Sequence, residues 1–213
     1  MNGRFAFHLG SLVVAVVALS GCVSPTVVLE PSIPTIAPSA APDSARTAPL
    51  AVNVTQVTNQ ASKYEEKSDK ILVGKSESLG VHLSDIWMQE PPATFVKRLL
   101  EASLKSWGYQ VSPAEAQLRI DARVNKFSID SRAASAIEFQ ADGAIDADVI
   151  VNRATGATLY KGNYRGSCTQ RTATQFPSKD YLEALFNRCV VDFQKQLQSD
   201  EKLRSALRAG TQM

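Results

Sequence analysis

The chain is 213 residues long, 44% of them hydrophobic, and carries 23 basic against 21 acidic residues, a formal net charge of +2. This near balance excludes the strongly basic composition of nucleic-acid-binding proteins and predicts no polyanion as the main partner. Residues 1–49 differ in composition from the rest. The remaining stretch of about 160 residues is enough for one domain with a buried core.

The first 21 residues have the layout of a secretory signal. Arg4 is the only charged residue before Cys22, and an apolar core runs from Leu12 to Leu19, which is too short for a membrane-spanning helix. The segment Leu19-Ser20-Gly21-Cys22 closely resembles the lipobox of bacterial lipoproteins. This resemblance implies cleavage before Cys22 and acylation of Cys22, so that membrane lipid becomes a partner of the chain. The alternative is an ordinary signal peptide that is cut elsewhere.

The residues after the lipobox bear on location. In lipoprotein sorting, an aspartate directly after the cysteine marks retention in the inner membrane, whereas Val23 and Ser24 follow Cys22 here. The resemblance therefore implies a lipid anchor in the outer membrane, with the protein facing the periplasm.

Residues 22–49 form a proline-rich segment. Six of the ten prolines fall in it, at positions 25, 31, 34, 38, 42 and 49. Such a composition excludes a helix and shows no pattern for a paired strand, so we expect an extended spacer between the anchor and a periplasmic domain at 50–213. The alternative is a segment whose disorder is tolerated because nothing depends on it.

Two cysteines remain after Cys22. Cys168 and Cys189 lie in a compartment that permits disulfides, and two cysteines allow a single intramolecular pairing. We expect a disulfide between them; the alternative is a pair of buried free thiols.

The first elements of the domain follow from periodicity. Residues 50–57 alternate apolar and polar side chains as a half-buried strand does, and residues 71–74 suit a second short strand. The polar residues 58–70 are expected to form a loop, and 79–88 has no clear pattern. Pro91-Pro92 indicates a helix start, and apolar residues recur at three- and four-residue spacing as far as Trp107, before a C-capping Gly108.

Three long strands and two helices complete the prediction. Residues 118–129 alternate with a phase shift near Asn125 that indicates a bulge, and strands at 143–151 and 158–168 follow as an antiparallel meander. Asp180 and Glu183 suggest a capping box for a helix ending near Leu197, and a short helix follows at 200–208. We therefore predict an α+β two-layer sandwich: a mainly antiparallel sheet of four to five strands with two helices on one face, plus a short C-terminal helix.

Neither a catalytic constellation nor a metal site emerges from the sequence. His82, Ser84 and Asp85 are the residue types of a hydrolytic triad, but adjacency in sequence does not produce its geometry. Asp142, Asp146 and Asp148 alternate along one predicted strand, where pairing with Arg119 and Arg123 of the neighbouring strand explains them without a metal ion. We predict a non-enzymatic protein with no cofactor and no metal.

Two groups of residues are candidate binding sites on the surface. Arg165, Arg171 and Arg188 bracket the two cysteines and form a candidate patch for an anionic partner, although solvated arginines are the simpler interpretation. Tyr160 and Tyr164 share a strand face with glycines, which favours coverage by a helix over ligand binding.

Segments along the domain resemble the YajG-type lipoproteins, a bacterial family without an assigned activity. The matching segments are LAVNVTQV, KILVGKSESLGVHLSDI, SLKSWGYQV, LRIDARVNKF, GAIDADVIV, TGATLYKGNYRG and QLQSDEKLRSAL. The resemblance implies an outer-membrane lipoprotein that binds another envelope protein or copies of itself. The alternative is an accessory subunit of an ABC-type lipid transporter; an open apolar groove between the helices would favour the transporter, and a closed core the interaction module.

Overall fold

The computed structural model describes residues 26–35, 51–60, 66–67, 70–113, 116–135, 137–173 and 177–210. The predictions for the signal segment, for Cys22 and for residues 36–49 fall outside these ranges.

Nine strands and three helices make up the described residues. The strands are β1 (Val27–Leu29), β2 (Ala51–Asn59), β3 (Glu66–Lys67), β4 (Lys70–Ser78), β5 (Val81–Met88), β6 (Gln110–Val111), β7 (Leu118–Ala133), β8 (Phe139–Arg153) and β9 (Thr158–Thr172). The helices are α1 (Pro92–Ser106), α2 (Lys179–Ser199) and α3 (Glu201–Ala209).

The predicted fold class is wrong. Instead of four to five mainly antiparallel strands, the described residues form one mixed sheet of nine strands. Parallel pairs join β1 to β5, β2 to β6, β2 to β7 and β4 to β7, and four antiparallel pairs complete the sheet. Parallel partners are not joined by a tight turn and leave no local signal between them, so the alternation of side chains did not reveal these pairs.

Strand β7 organises the sheet. One edge of β7 pairs with β8 along its length, and β8 pairs with β9, which confirms the predicted meander. The other edge is shared, because β2 pairs with residues 118–124 and β4 pairs with Ser131 and Arg132. The register slips between Val124 and Lys126, which confirms the predicted bulge where β2 gives way to β4.

Residues 26–35 belong to the folded domain, which corrects the prediction that no part of the proline-rich segment pairs as a strand. β1 adds to the sheet beside β5, and Leu29 is buried in the core. The backbone N–H of Glu30 donates to Glu183 Oε1 of α2 at 2.7 Å. A strand of three apolar residues is too short for alternation to show, and its partners lie far away in the sequence.

The helices pack on one face of the sheet around three aromatic rings. Phe95 of α1, Phe127 of β7 and Phe186 of α2 have centroid separations of 5.0 to 6.1 Å. Helix α1 begins with Pro92 in its first turn and is followed by Gly108 at φ +85°, as predicted.

Helix α2 begins two residues earlier than its predicted capping box. Ser178 is the N-cap, and its side chain accepts from the backbone N–H of Tyr181. Two glycines let the helix approach the sheet. A Cβ on Gly166 would lie 2.1 Å from the carbonyl oxygen of Cys189, and a Cβ on Gly143 would lie 2.6 Å from the Cys189 sulfur.

Candidate functional site

The face of β7, β8 and β9 that points away from the helices carries mainly polar side chains, with Ile150 among them, and we call it the polar face. Side chains alternate along each strand, so the polar residues between the core positions all reach this side. Its central members are Asp121, Arg123, Asn125, Asp146, Asp148, Lys161, Asn163 and Arg165. The length of the three strands, 15 or 16 residues each, makes this surface extended.

Arg123 and Asp148 form an ion pair across β7 and β8. The two residues stand directly opposite in the register, and the distance from Arg123 Nη2 to Asp148 Oδ2 is 2.6 Å. This confirms the predicted pairing of Arg123. The prediction for Arg119 is wrong, because the register places Arg119 opposite Asn152, with Ile150 between Asn152 and Asp148 on the same face of β8.

Asp146 is the most enclosed acid of the polar face, with 7% of its surface exposed. Arg165 of β9 binds it with Nη2 2.8 Å from Oδ2, and Asn163 and Asn125 donate to Oδ1 at 2.8 and 3.3 Å. Burial alone would raise the pKa of Asp146, but these hydrogen bonds outweigh burial and hold the pKa below its usual value.

Asn163 connects the two ion pairs of the polar face. Its side-chain amide donates to Asp146 and also to Asp148 Oδ1, at 3.0 Å. Burial tends to raise the pKa of Asp148, while hydrogen bonds from Arg123 and Asn163 lower it further than burial raises it. Both aspartates are therefore ionised and paired near neutral pH, unlike a general acid, whose pKa must lie near the working pH.

A shallow groove of about 320 Å³ crosses the polar face. Its lining includes Gln56 and Thr58 of β2, the Arg123–Asp148 pair, and Lys161 of β9. These side chains offer exposed hydrogen-bond donors and acceptors on a rigid sheet, an arrangement suited to contact with another polar surface.

The predicted cysteine pair is joined. Cys168 of β9 and Cys189 of α2 form a disulfide with their Cα atoms 5.0 Å apart, over Gly143 of β8. The disulfide therefore fastens α2 to the sheet.

The three arginines of the candidate anionic patch do not come together. Arg165 lies on the polar face and is bound to Asp146, and Arg171 lies six residues further along the same strand. Arg188 lies on α2, where it donates to Gln170 on the helix side of β9. Strand alternation thus separates Arg188 from the other two by the thickness of the sheet.

The remaining candidate residues have structural positions. His82 Nε2 lies 3.1 Å from Asp85 Oδ1. A register slip around Leu83 puts these two on one face and the buried Ser84 on the other, so His82 and Ser84 do not form a relay. Among the described residues, no group of three or more histidine, cysteine or acidic side chains is placed to hold a metal ion.

Tyr160 and Tyr164 are covered from the helix side, as predicted. Tyr164 is buried against Phe193 of α2, and both phenols donate to Asp200 Oδ2. This cluster was missed at the sequence level, because Asp200 lies about forty residues away from the tyrosines and no spacing connects them.

Where the three helices meet the middle of the sheet, the described side chains leave little empty space. An apolar cavity lined by Leu100, Leu104, Ile120 and Leu203, among others, has a volume of only about 10 Å³. A water molecule barely fits in such a space, and a lipid chain does not. Of the helices in the described part of the chain, none has the length and apolar content needed to cross a bilayer.

A family model described as "Uncharacterized lipoprotein" (Lipoprotein_16) matches residues 72–208. No curated protein gives a significant match.

Several solved structures are similar in part. A crystal structure from Xanthomonas campestris is 10% identical, with 87% of this chain and 95% of that chain covered at a TM-score of 0.49. A putative lipoprotein from Caulobacter crescentus is 16% identical over 64% of this chain and 92% of its own, with a TM-score of 0.38. A minor lipoprotein from Acinetobacter baumannii is 12% identical, with 62% and 94% covered and a TM-score of 0.37.

Proposed function

The chain belongs to this family of uncharacterized lipoproteins, since the match covers more than half of its length, and on that premise we propose a function for it. The protein is an outer-membrane lipoprotein of the YajG type, acylated at Cys22, whose periplasmic domain binds another envelope protein through the polar face. It carries out no catalysis.

The observation that carries this proposal is the paired state of the acids on the polar face. Asp146 and Asp148 are held by arginine and asparagine side chains, and their pKa values lie below the usual range. A surface whose charges are fixed in pairs and whose residues lie on long strands is preorganised for recognition. The lowered pKa values of Asp146 and Asp148 move these two carboxyl groups away from the range in which a general acid works at neutral pH.

The edge of β9 and the interior of the domain are less available for binding than the polar face. Strand β9 is an edge strand, but side chains of α2 accept from its free backbone donors: Gln196 from Arg165 N at 3.1 Å and Asp192 from Ser167 N at 3.1 Å. Edge strands protected in this way do not readily pair with another chain. The nearly filled core supports an interaction module over an accessory subunit that carries lipid, because ligand pockets measure about 300 to 1,000 Å³.

The interaction is tested by site-specific photo-crosslinking in intact cells. A photoreactive residue at Lys161 faces the groove of the polar face, and a matched one at the exposed Lys105 of α1 serves as the control. We expect a discrete protein adduct from position 161 and none of the same size from position 105. Equal labelling from both positions, or recovery of lipid alone, would contradict the proposal.

The anchor is tested separately by labelling cells with a fatty-acid analogue. The parent chain should incorporate the label and fractionate with outer membranes, and Cys22→Ser should do neither. Label retained by the Cys22→Ser chain would assign the acylation to another residue.

A further inference from the structure

Three large apolar side chains are exposed in the described part of the chain. Leu79 and Val81 lie at the turn between β4 and β5 with 95% and 62% of their surfaces exposed, and Ile137 lies in the turn between β7 and β8 with 71% exposed. We call these three residues the apolar tips.

The apolar tips lie at one end of the sheet. β4 and β7 run parallel side by side, with Ser76 opposite Ser131 and Glu77 opposite Arg132. Both strands therefore end at the same level, and the turns that follow them are neighbours. The register thus brings two turns nearly sixty positions apart in sequence to the same end of the sheet, so that the apolar side chains of both turns face out from that end.

The turn that carries Leu79 is unfavourable for a leucine. Leu79 has φ +50° and Gly80 has φ +78°, as in a two-residue hairpin turn with both central residues left-handed. Asn-Gly is the preferred pair in such turns, and a bulky side chain with positive φ is rare. Leu79 is neither buried nor in a backbone conformation that leucine favours. Such a residue is expected where the side chain contacts something outside the domain.

The anchoring residue is tied to the same end. β1 runs parallel to β5, with Val27 opposite Ile86, so the chain enters β1 from the end where β5 begins at Val81. Cys22 precedes Val27 by five residues. Five residues span at most about 17 Å, and Val81 is likewise five residues before Ile86.

Little slack remains between the anchor and the domain. β1 is fixed by its pairing with β5 and by the hydrogen bonds of Glu30 and Ser32 to Glu183 and Asn187 of α2. A lipid on Cys22 therefore holds the apolar tips within a short distance of the membrane, instead of allowing the domain to stand off on a long spacer.

We propose that the apolar tips insert into the boundary between headgroups and acyl chains of the bilayer that anchors Cys22. This inference rests on the acylation of Cys22 proposed above. The contact fixes the orientation of the domain, because the sheet then stands with its β4–β5 and β7–β8 turns on the membrane and its opposite end, the β8–β9 turn, directed away.

The test uses the full acylated chain in vesicles of phosphatidylethanolamine and phosphatidylglycerol. Leu79→Trp places a fluorophore at the tips, and Thr155→Trp places one in the exposed β8–β9 turn at the opposite end of the sheet. Emission is measured against the parent chain, which has Trp87 and Trp107. With phospholipids brominated on their acyl chains, we expect at least twofold quenching of the added signal of Leu79→Trp and no quenching of Thr155→Trp.

The outcomes separate this inference from the proposed function. If the chain does not float with the vesicles, the membrane anchor itself fails and the inference fails with it. Iodide, a quencher dissolved in the water, measures the exposure of each added tryptophan. If the chain floats with the vesicles but iodide quenches Leu79→Trp as strongly as Thr155→Trp, only the inference is overturned. Shielding from iodide without bromine quenching would assign the tips to contact with another protein copy and would also overturn it.

Discussion

The hydroxyl of Tyr164 lies 2.8 Å from Asp200 Oδ2, which connects the middle of β9 to the junction of α2 and α3. Tyr160 donates to the same oxygen, while Oδ1 accepts the backbone N–H groups of Lys202 and Leu203 at the start of α3. One carboxylate therefore satisfies two tyrosines and caps a helix. Burial tends to raise the pKa of Asp200, but these hydrogen bonds lower it below its usual value.

We expect Asp200→Ala to lower the free energy of unfolding by about 2 to 4 kcal/mol. The substitution removes a helix cap and leaves the hydroxyl of the buried Tyr164 without its acceptor in Asp200. Urea unfolding measures the change. Tyr160→Phe should cost less, because it removes one donor and leaves the cap, so a larger effect from Tyr160→Phe than from Asp200→Ala would contradict this account.

Acid should weaken the fold through Asp146, Asp148 and Asp200. Each pKa is lowered in the folded state, so each carboxylate contributes stability that is complete above its unfolded pKa and lost as the pH falls through the folded one. Asp130 has the opposite effect on the pH dependence of stability. Burial raises its pKa in the folded state, so protonation of Asp130 as the pH falls favours the folded chain.

The measurement is the free energy of unfolding as a function of pH. The parent chain should exceed Asp146→Asn in stability at neutral pH, and the difference should shrink between about pH 5 and pH 3. A difference that stays constant across this range would show that Asp146 contributes through packing and not through its charge.

The disulfide and Gly143 should be coupled. A Cβ on Gly143 would lie 2.6 and 2.8 Å from the two sulfur atoms, so Gly143→Ala forces the disulfide and α2 to shift. We expect a loss of about 1 to 3 kcal/mol in the oxidised chain, as in other overpacked cores. In a Cys168→Ala, Cys189→Ala background the loss should be smaller, and equal losses in both backgrounds would exclude the coupling.

Removing the disulfide itself should also cost stability. Its cysteines are 21 residues apart, and closing a loop of this size stabilises a fold by about 3 kcal/mol in the chain-entropy model. Denaturant unfolding of the parent chain with and without reductant measures this cost, and alkylation followed by mass measurement verifies the redox state. Unchanged stability after complete reduction would contradict the prediction.

Leu79→Asn should stabilise the isolated domain by about 0.5 to 1 kcal/mol. Asparagine tolerates the left-handed conformation of a two-residue hairpin turn better than leucine does. Thermal unfolding without lipid measures the gain, and Leu79→Ala serves as a control that removes the apolar side chain without supplying a turn-forming residue. A loss of stability from Leu79→Asn would mean that the leucine has a role within the fold.

Local sequence patterns correctly predicted the secondary-structure elements that depend on residues close together in the chain. The alternation in β7, the bulge at Asn125, the meander of β7 to β9 and the apolar stripes of α1 and α2 were all readable, because each depends on neighbouring residues. The alternation of side chains also predicted which residues of the long strands face the core and which lie on the polar face. The alternation also indicated that Arg123 pairs with an aspartate of the neighbouring strand, and the strand register fixed Asp148 as that aspartate.

Pairings between distant segments were not readable. Nothing in residues 26–35 indicated a strand, and β5 lacked clear alternation because of the slip near Leu83. β2 and β4 pair in parallel with β7 although no tight turn connects them. Asp200 likewise contacts tyrosines that lie far from it in the sequence. These long-range pairings are stabilised by burial and by hydrogen bonds that form only when the chain folds, so no local pattern in the sequence indicates them.

The amino-acid sequence by itself determined the lipobox resemblance, the near-neutral charge, the single possible cysteine pair and the two faces of the long strands, since these depend on residue type and short-range order. The tertiary structure decided that the sheet is mixed, that residues 26–35 pack on the domain, and that the turns carrying Leu79 and Ile137 lie at the same end of the sheet. It did so because strand register, set by the packing of the whole core, decides which distant residues become neighbours.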